Sequence, residues 1–139
     1  MKATLEILSR GTTILASLAG IVTLVQFNRR LDFEKDKVAL EMFRDYSKDK
    51  REFDIETAPS EAHTKAFATT TQYAAETIHR WRKGDTGWEA TVRGMIKDNE
   101  PVLLSIKGWH CQAMDHEYYC MAQQVLNGNL DCDVAPTCP

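Results

Sequence analysis

Four cysteines are the residues of this chain with the clearest chemical potential. Cys111, Cys120, Cys132 and Cys138 all fall within the last 29 of its 139 residues. An even number of cysteines clustered at one end of a chain is typical of either two disulfides or a metal site. Free buried thiols are the third possibility. Disulfides would require this part of the protein to lie in an oxidising compartment.

The pairing of the cysteines depends on the elements that carry them. If one helix holds both Cys111 and Cys120, about 13 Å separates them, which is beyond disulfide reach. Each must then pair with the tail, which can turn at Asn127-Gly128 and run back along the helix. This geometry favours a nested pairing, Cys120–Cys132 with Cys111–Cys138. The two bonds would hold the tail against the last helix.

A zinc site is the alternative use of the same residues. His116 and Cys120 are four residues apart, so they share one face of a helix. Cys132 and Cys138 from the returning tail could complete a tetrahedral set. The spacing matches no common zinc signature, and Cys111 would be left over. We therefore expect no cofactor, with zinc as the alternative.

The sequence contains no recognisable catalytic motif. It has no phosphate-binding glycine loop, no nucleophile elbow and no HExxH pair. His110, Asp115, His116 and Glu117 lie near the cysteines and suggest a carboxylate–histidine metal centre. However, His116 and Glu117 are adjacent and point in different directions, and no second helix offers a matching Glu-x-x-His. We predict a protein that is not an enzyme.

Helices are expected to position these groups. A helix over 60–83 has Phe67, Thr70, Ala74, Ile78 and Trp81 on its apolar stripe, and Gly84 ends it. His63 and His79 within it are expected to be exposed or hydrogen-bonded. No segment alternates strictly in β-branched residues, which predicts an all-α fold.

Two further helices are expected to follow. The first begins at Thr86-Gly87-Trp88-Glu89, which has the spacing of a capping box, and ends near Asn99. The second starts at Pro101 and is expected to reach Val125, although Gly108 lies inside it. The cysteines would then lie on this last helix and on the tail that follows.

The N-terminal segment has a different character. The eighteen residues 11–28 carry no formal charge and lie between Arg10 and the pair Arg29-Arg30. A helix of this length is about 27 Å long, close to the thickness of a hydrocarbon core. This predicts an uncleaved membrane anchor; a cleaved signal peptide and a buried core helix are the alternatives. A face of small residues could pack against another helix in lipid: Thr13, Ala16, Gly20 and Thr23.

The anchor would make this a single-pass membrane protein. Positive charges flanking residues 11–28 favour a cytoplasmic body slightly, whereas disulfides favour an oxidising compartment. Net charge is −3 with acids and bases interleaved, so nucleic acid is not expected as a partner. The predicted parts are a membrane anchor at 1–30, a helical stalk at 31–58, a bundle of about three helices at 59–127 and a Cys-containing irregular tail at 128–139.

Two stretches of the chain are VQFNRRLDFEKDKVALEMFRDYSKDKREFD and AAETIHRWRKGDTGWEATVRGMI. They resemble uncharacterised bacterial single-span membrane proteins, which have an N-terminal anchor, a charged stalk and a small helical domain. The resemblance implies a cytoplasmic body and no known activity, and the cysteine-bearing tail departs from the pattern. The sequence thus predicts a non-catalytic accessory subunit or interaction module of a membrane-associated assembly. Its partners would be lipid and either another membrane protein or further copies of itself. The alternative is a metal-binding or redox-responsive membrane-tethered module that uses its Cys/His tail.

Overall fold

The computed structural model describes residues 2–138, with side chains described from residue 23 onward. This part of the chain contains α-helices and no β-strand, which confirms the predicted all-α fold. The helices are α1 (Lys2–Ile55), α2 (Glu61–Trp81), α3 (Thr86–Asp98), α4 (Glu100–Ser105) and α5 (His116–Val125), with a short 3₁₀ turn at Cys111–Ala113.

The chain divides into two units, and the boundary lies within α1. The first unit ends at Lys35 and the second begins at Asp36. Residues 36–55 therefore belong with the helices that follow, because Ala39 and Tyr46 are buried in the same core as those helices. The predicted stalk over 31–58 thus extends across the boundary between the two units.

The core of the second unit is built from the apolar stripes of its helices. In α2, the side chains of Phe67, Ala74 and Ile78 are buried as the sequence predicts, whereas Trp81 is exposed. The helix α2 contacts α3, α4 and α5. The largest apolar and aromatic side chains of this core that are fully enclosed are Ile78, Val92, Ile96, Leu103, Tyr118, Tyr119 and Leu126.

Side-chain contacts attach the second half of α1 to this core. The ring of Phe53 stacks on the ring of Phe67, with 4.4 Å between their centroids. The amide of Asn99 donates a 2.7 Å hydrogen bond to the hydroxyl of Tyr46. These contacts come from residues far apart in sequence, so the helical pattern of residues 28–50 did not reveal them.

The predicted fourth helix is broken into three pieces. The helix α4 ends at Ser105, and Gly108 has a φ of +67°, a left-handed conformation that an α-helix cannot contain. A new helix starts only at His116, where the side chain of Asp115 accepts a hydrogen bond from the Tyr118 N–H. One continuous helix from Pro101 to Val125 is therefore wrong.

The membrane placement is also corrected. Among the residues that the structure describes, no helix carries a stretch long and apolar enough to cross a membrane. Residues 11–22 of the predicted anchor precede the residues whose side chains the structure describes. The predicted single-pass membrane localisation is therefore wrong, and the predicted anchor has no support in the described part of the chain.

Candidate functional site

The four cysteines form two disulfides. Cys111 pairs with Cys132 and Cys120 pairs with Cys138, across sequence separations of 21 and 18 residues. The nested pairing expected from the sequence is therefore wrong. It assumed one helix through Cys111 and Cys120, but Cys111 lies in the 3₁₀ turn and Cys120 in α5. Without that shared helix, distance along a helix no longer decides which cysteine meets the tail first.

A short backbone pairing surrounds the Cys111–Cys132 bond. The N–H of Trp109 donates to the carbonyl of Asp131 at 2.8 Å, and the N–H of Asp133 donates to the carbonyl of Trp109 at 2.9 Å. The Cys111 side chain is fully buried and belongs to the core. This disulfide is thus supported by backbone hydrogen bonds and by apolar packing.

The carboxylate of Asp133 has several hydrogen-bond partners beside the Cys111–Cys132 disulfide. Its carboxylate lies 2.7 Å from Nδ1 of His110 and accepts hydrogen bonds from the N–H groups of Val134 and Cys111. The His110 contact, followed by the Val134 N–H, lowers the pKa of Asp133 below its ordinary value. Sequence reasoning did not single out this aspartate. The only local signal was the Asp131-Cys132-Asp133 triplet, since aspartates readily accept hydrogen bonds from nearby backbone N–H groups.

The zinc set proposed from the sequence is divided between the two disulfides. Nε2 of His116 lies 3.9 Å from Sγ of Cys120, but Cys132 belongs to the other bond. A sulfur in a disulfide is not the thiolate that zinc requires. Within the described residues, no group of three or more His, Cys, Asp or Glu side chains is arranged to hold a metal ion.

The carboxylate–histidine cluster suggested by the sequence is dispersed in the structure. His110 contacts Asp133, Asp115 caps α5, and Glu117 accepts a 2.6 Å hydrogen bond from Lys83. Each group therefore has a different structural partner, and His116 contacts none of the other three in the described contacts.

The two histidines of α2 have different surroundings. His63 pairs with the carboxylate of Glu56. Nε2 of His79 is buried without a hydrogen-bond partner in the described part of the protein, and its ring lies 5.9 Å from the ring of Tyr118. His63 is thus hydrogen-bonded, as expected from the sequence. His79 differs from that expectation, because its Nε2 is buried and has no hydrogen-bond partner among the described residues.

A second feature of the molecule is apolar surface on α1. Within the first unit, the side chains of Leu24, Phe27 and Leu31 are exposed at spacings of three and four residues. Such spacing places them on one face of a helix. Within the second unit, Leu40, Phe43 and Trp88 line a shallow groove. Neither surface was predicted from the sequence.

The small-residue face predicted on the first helix is largely outside the described side chains. Thr13, Ala16 and Gly20 precede residue 23, where the description of side chains begins, and Thr23 is exposed. This face therefore stays a prediction.

Comparison with known protein families, with curated proteins and with solved structures finds no match to this chain. The resemblance to uncharacterised bacterial proteins stays a prediction. The functional argument therefore depends on the geometry alone.

Proposed function

We propose that this protein is a non-catalytic interaction module that assembles through the exposed apolar face of α1, with a second copy of the chain as its partner. One observation carries the proposal. Of the eleven large apolar side chains that are exposed among the described residues, eight lie on α1. Apolar side chains gathered on one element are typical of an interaction surface, whereas isolated ones are ordinary.

The spacing of these residues fits a partner helix. Leu24, Phe27 and Leu31 follow the a, d, a positions of a heptad, which is the pattern by which one helix packs along another. In the described structure their side chains are 63%, 57% and 42% exposed. Covering them with the same face of a second chain would remove all six side chains of the pair from water.

Two ionisable groups near the cysteines have structural partners: His110 contacts Asp133, and Glu117 accepts a hydrogen bond from Lys83. The two disulfides fit assembly in an oxidising setting.

Sedimentation equilibrium of the full chain over a range of concentrations tests the proposal. We expect a concentration-dependent dimer, and Leu31→Glu should weaken dimerisation by at least about tenfold, because it places a charge in the apolar contact. Phe33→Glu is the matched control. Phe33 is exposed on the same helix but faces away from the stripe, so this variant should dimerise like the wild type.

A wild-type chain that stays monomeric at all concentrations would refute self-assembly. Equal loss in Leu31→Glu and Phe33→Glu would refute the proposed face, and a chain that pellets with lipid vesicles as a monomer would refute the proposed partner.

A further inference from the structure

The two disulfides differ in their accessibility. Cys111 is fully buried and its partner Cys132 is half-buried. Cys120 is half-buried, but Cys138 is exposed on a tail segment that has no regular secondary structure. Thiol exchange requires a thiolate to reach one sulfur of the bond directly. Only the Cys120–Cys138 bond offers an exposed cysteine.

The accessible bond also borders a cleft. Cys120 and Cys138 line it together with His79, Lys83 and Glu117, and its volume is about 620 Å³. A cavity of this size can admit a small organic molecule. Arg93 also lines the cleft, so cationic and anionic side chains both border the space. A small thiol can therefore approach the disulfide from this side.

A histidine is positioned to assist one of the two sulfurs. Nε2 of His116 lies 3.9 Å from Sγ of Cys120, one helical turn earlier on α5. When Nε2 carries a proton, it can donate a hydrogen bond to a thiolate that forms on Cys120. Thiolates beside such a donor are better leaving groups than isolated ones. At the buried bond the neighbouring group is the hydroxyl of Tyr119, 3.9 Å from Sγ of Cys132, while the His110 ring is engaged by Asp133. A phenol is a much weaker acid than an imidazolium, so it assists a leaving thiolate less.

We propose that the Cys120–Cys138 disulfide is a thiol-exchange site that accepts a low-molecular-weight thiol, while the Cys111–Cys132 disulfide is structural. The thiolate of the small thiol attacks Sγ of Cys138 and forms a new S–S bond there. The Cys120–Cys138 bond breaks, and its electron pair goes to Sγ of Cys120, which takes a proton from His116 or from water. The products are a mixed disulfide on Cys138 and one thiol on Cys120, so one thiolate has replaced another and electrons balance.

The proposed site goes beyond the assembly role and concerns a different part of the molecule. The Cys111–Cys132 bond and the backbone pairing at Trp109 would keep the tail attached after exchange. Exchange would free only the residues that follow Asp133, next to the cleft that Cys138 lines.

Reduced glutathione is the probe that tests this inference. The folded, oxidised full chain is incubated with it, quenched with an alkylating reagent at intervals and digested for mass spectrometry. We expect glutathione on Cys138 and the alkylating group on Cys120, at a rate at least about tenfold above any reaction at Cys111 or Cys132. Equal rates at the two bonds, or faster reaction at Cys111–Cys132, would overturn the proposal.

Two variants separate the effect of His116 on the exchange rate from the effect of the exposure of the Cys120–Cys138 bond. His116→Ala should slow exchange at Cys138 by about tenfold or more, since it removes the donor beside the leaving sulfur. His110→Ala is the matched control, because it removes a histidine next to the other disulfide and should leave the rate at Cys138 unchanged. Circular dichroism of both variants checks that they are folded. A His116→Ala chain that is folded and exchanges at the wild-type rate would remove His116 from the mechanism.

Discussion

Two buried tyrosines show how the same side chain can stabilise or destabilise this fold. Tyr46 is buried with its hydroxyl accepting a hydrogen bond from Asn99, which also donates to the carbonyl of Met95. Tyr118 is completely buried, and its hydroxyl has no hydrogen-bond partner in the described part of the protein. A buried polar group costs free energy unless it is paired. The two hydroxyls should therefore contribute with opposite signs.

The same substitution at both positions tests this difference. Tyr46→Phe should lower the free energy of unfolding by about 1 kcal/mol, because Asn99 loses an acceptor. Tyr118→Phe should raise it by up to about 1 kcal/mol, because the only group lost is an unpaired buried hydroxyl. Urea unfolding followed by circular dichroism measures both values. A loss of stability in Tyr118→Phe as large as that in Tyr46→Phe would contradict the assignment.

The pH dependence of stability gives a second readout for the same residues. Burial raises the pKa of Tyr46 and, with the carboxylate of Glu76 adding to it, the pKa of Tyr118. The neutral forms are therefore favoured in the folded state. The stability that depends on keeping these hydroxyls neutral is therefore complete below the ordinary tyrosine pKa, about 10, and is lost as the pH rises beyond it. The alkaline loss should be smaller in Tyr118→Phe than in the wild type.

At the scale of elements, capping residues decide where the helices begin. The side chain of Ser60 accepts from the His63 N–H at the start of α2, as the boundary predicted at residue 60 requires. The cap of α3 is Asp85, one residue before the capping box expected at Thr86. Its carboxylate accepts from the N–H groups of Gly87 and Trp88 and from Arg82. A carboxylate is favoured at this end by the helix dipole as well.

Replacing Asp85 should shift the stability of the whole second unit. The Trp88 N–H, followed by Arg82, lowers the pKa of Asp85, so its contribution is present above the ordinary aspartate pKa and is lost as the pH falls through the lowered value. Asp85→Ala should lower the thermal midpoint at neutral pH more than Asp85→Asn, because asparagine retains a capping oxygen.

The stability of the same variants at acid pH is the control for that prediction. Because the charge has been removed, both variants should lose less stability than the wild type between neutral pH and the acid range below about pH 4. Thermal unfolding at a neutral and an acid pH measures this. Equal midpoints for Asp85→Ala and Asp85→Asn would mean that the capping oxygen retained by asparagine does not stabilise α3.

At the scale of the whole molecule, disulfides fasten an otherwise irregular tail to the helices. The tail after α5 has no helix of its own among the described residues, and both of its cysteines are bonded to earlier elements. The closed loops are of similar length, so the loss of unfolded-state entropy is similar for the two bonds, about 3 kcal/mol each. Any difference in how much the two bonds stabilise the protein must therefore come from their surroundings.

Removing each bond in turn should reveal that difference. Cys111→Ala with Cys132→Ala should lower the free energy of unfolding more than Cys120→Ala with Cys138→Ala. The first pair also opens a space around the buried Cys111 side chain and loosens the pairing at Trp109. Urea unfolding of both double variants checks the order. A greater loss for the exposed pair would contradict the structural role given to Cys111–Cys132.

Local signals in the sequence were sufficient to predict the bounds of α2 and the end of α3. The apolar stripe and Gly84 bound α2, and the end expected near Asn99 is where α3 stops. These features depend on residues within a few positions of one another, so helical periodicity and caps reveal them. The break at Gly108 was visible only as a weak signal, because a glycine inside a helical pattern is often tolerated.

The tertiary structure alone decided which cysteines pair and which part of α1 is buried. Both depend on contacts between distant segments: Cys111 meets Cys132 because the chain breaks at Gly108 and pairs at Trp109, and α1 joins the core through Tyr46 and Asn99. Residue spacing measures distance only along one continuous element. Once an element breaks or packs against another, the packing determines which side chains meet.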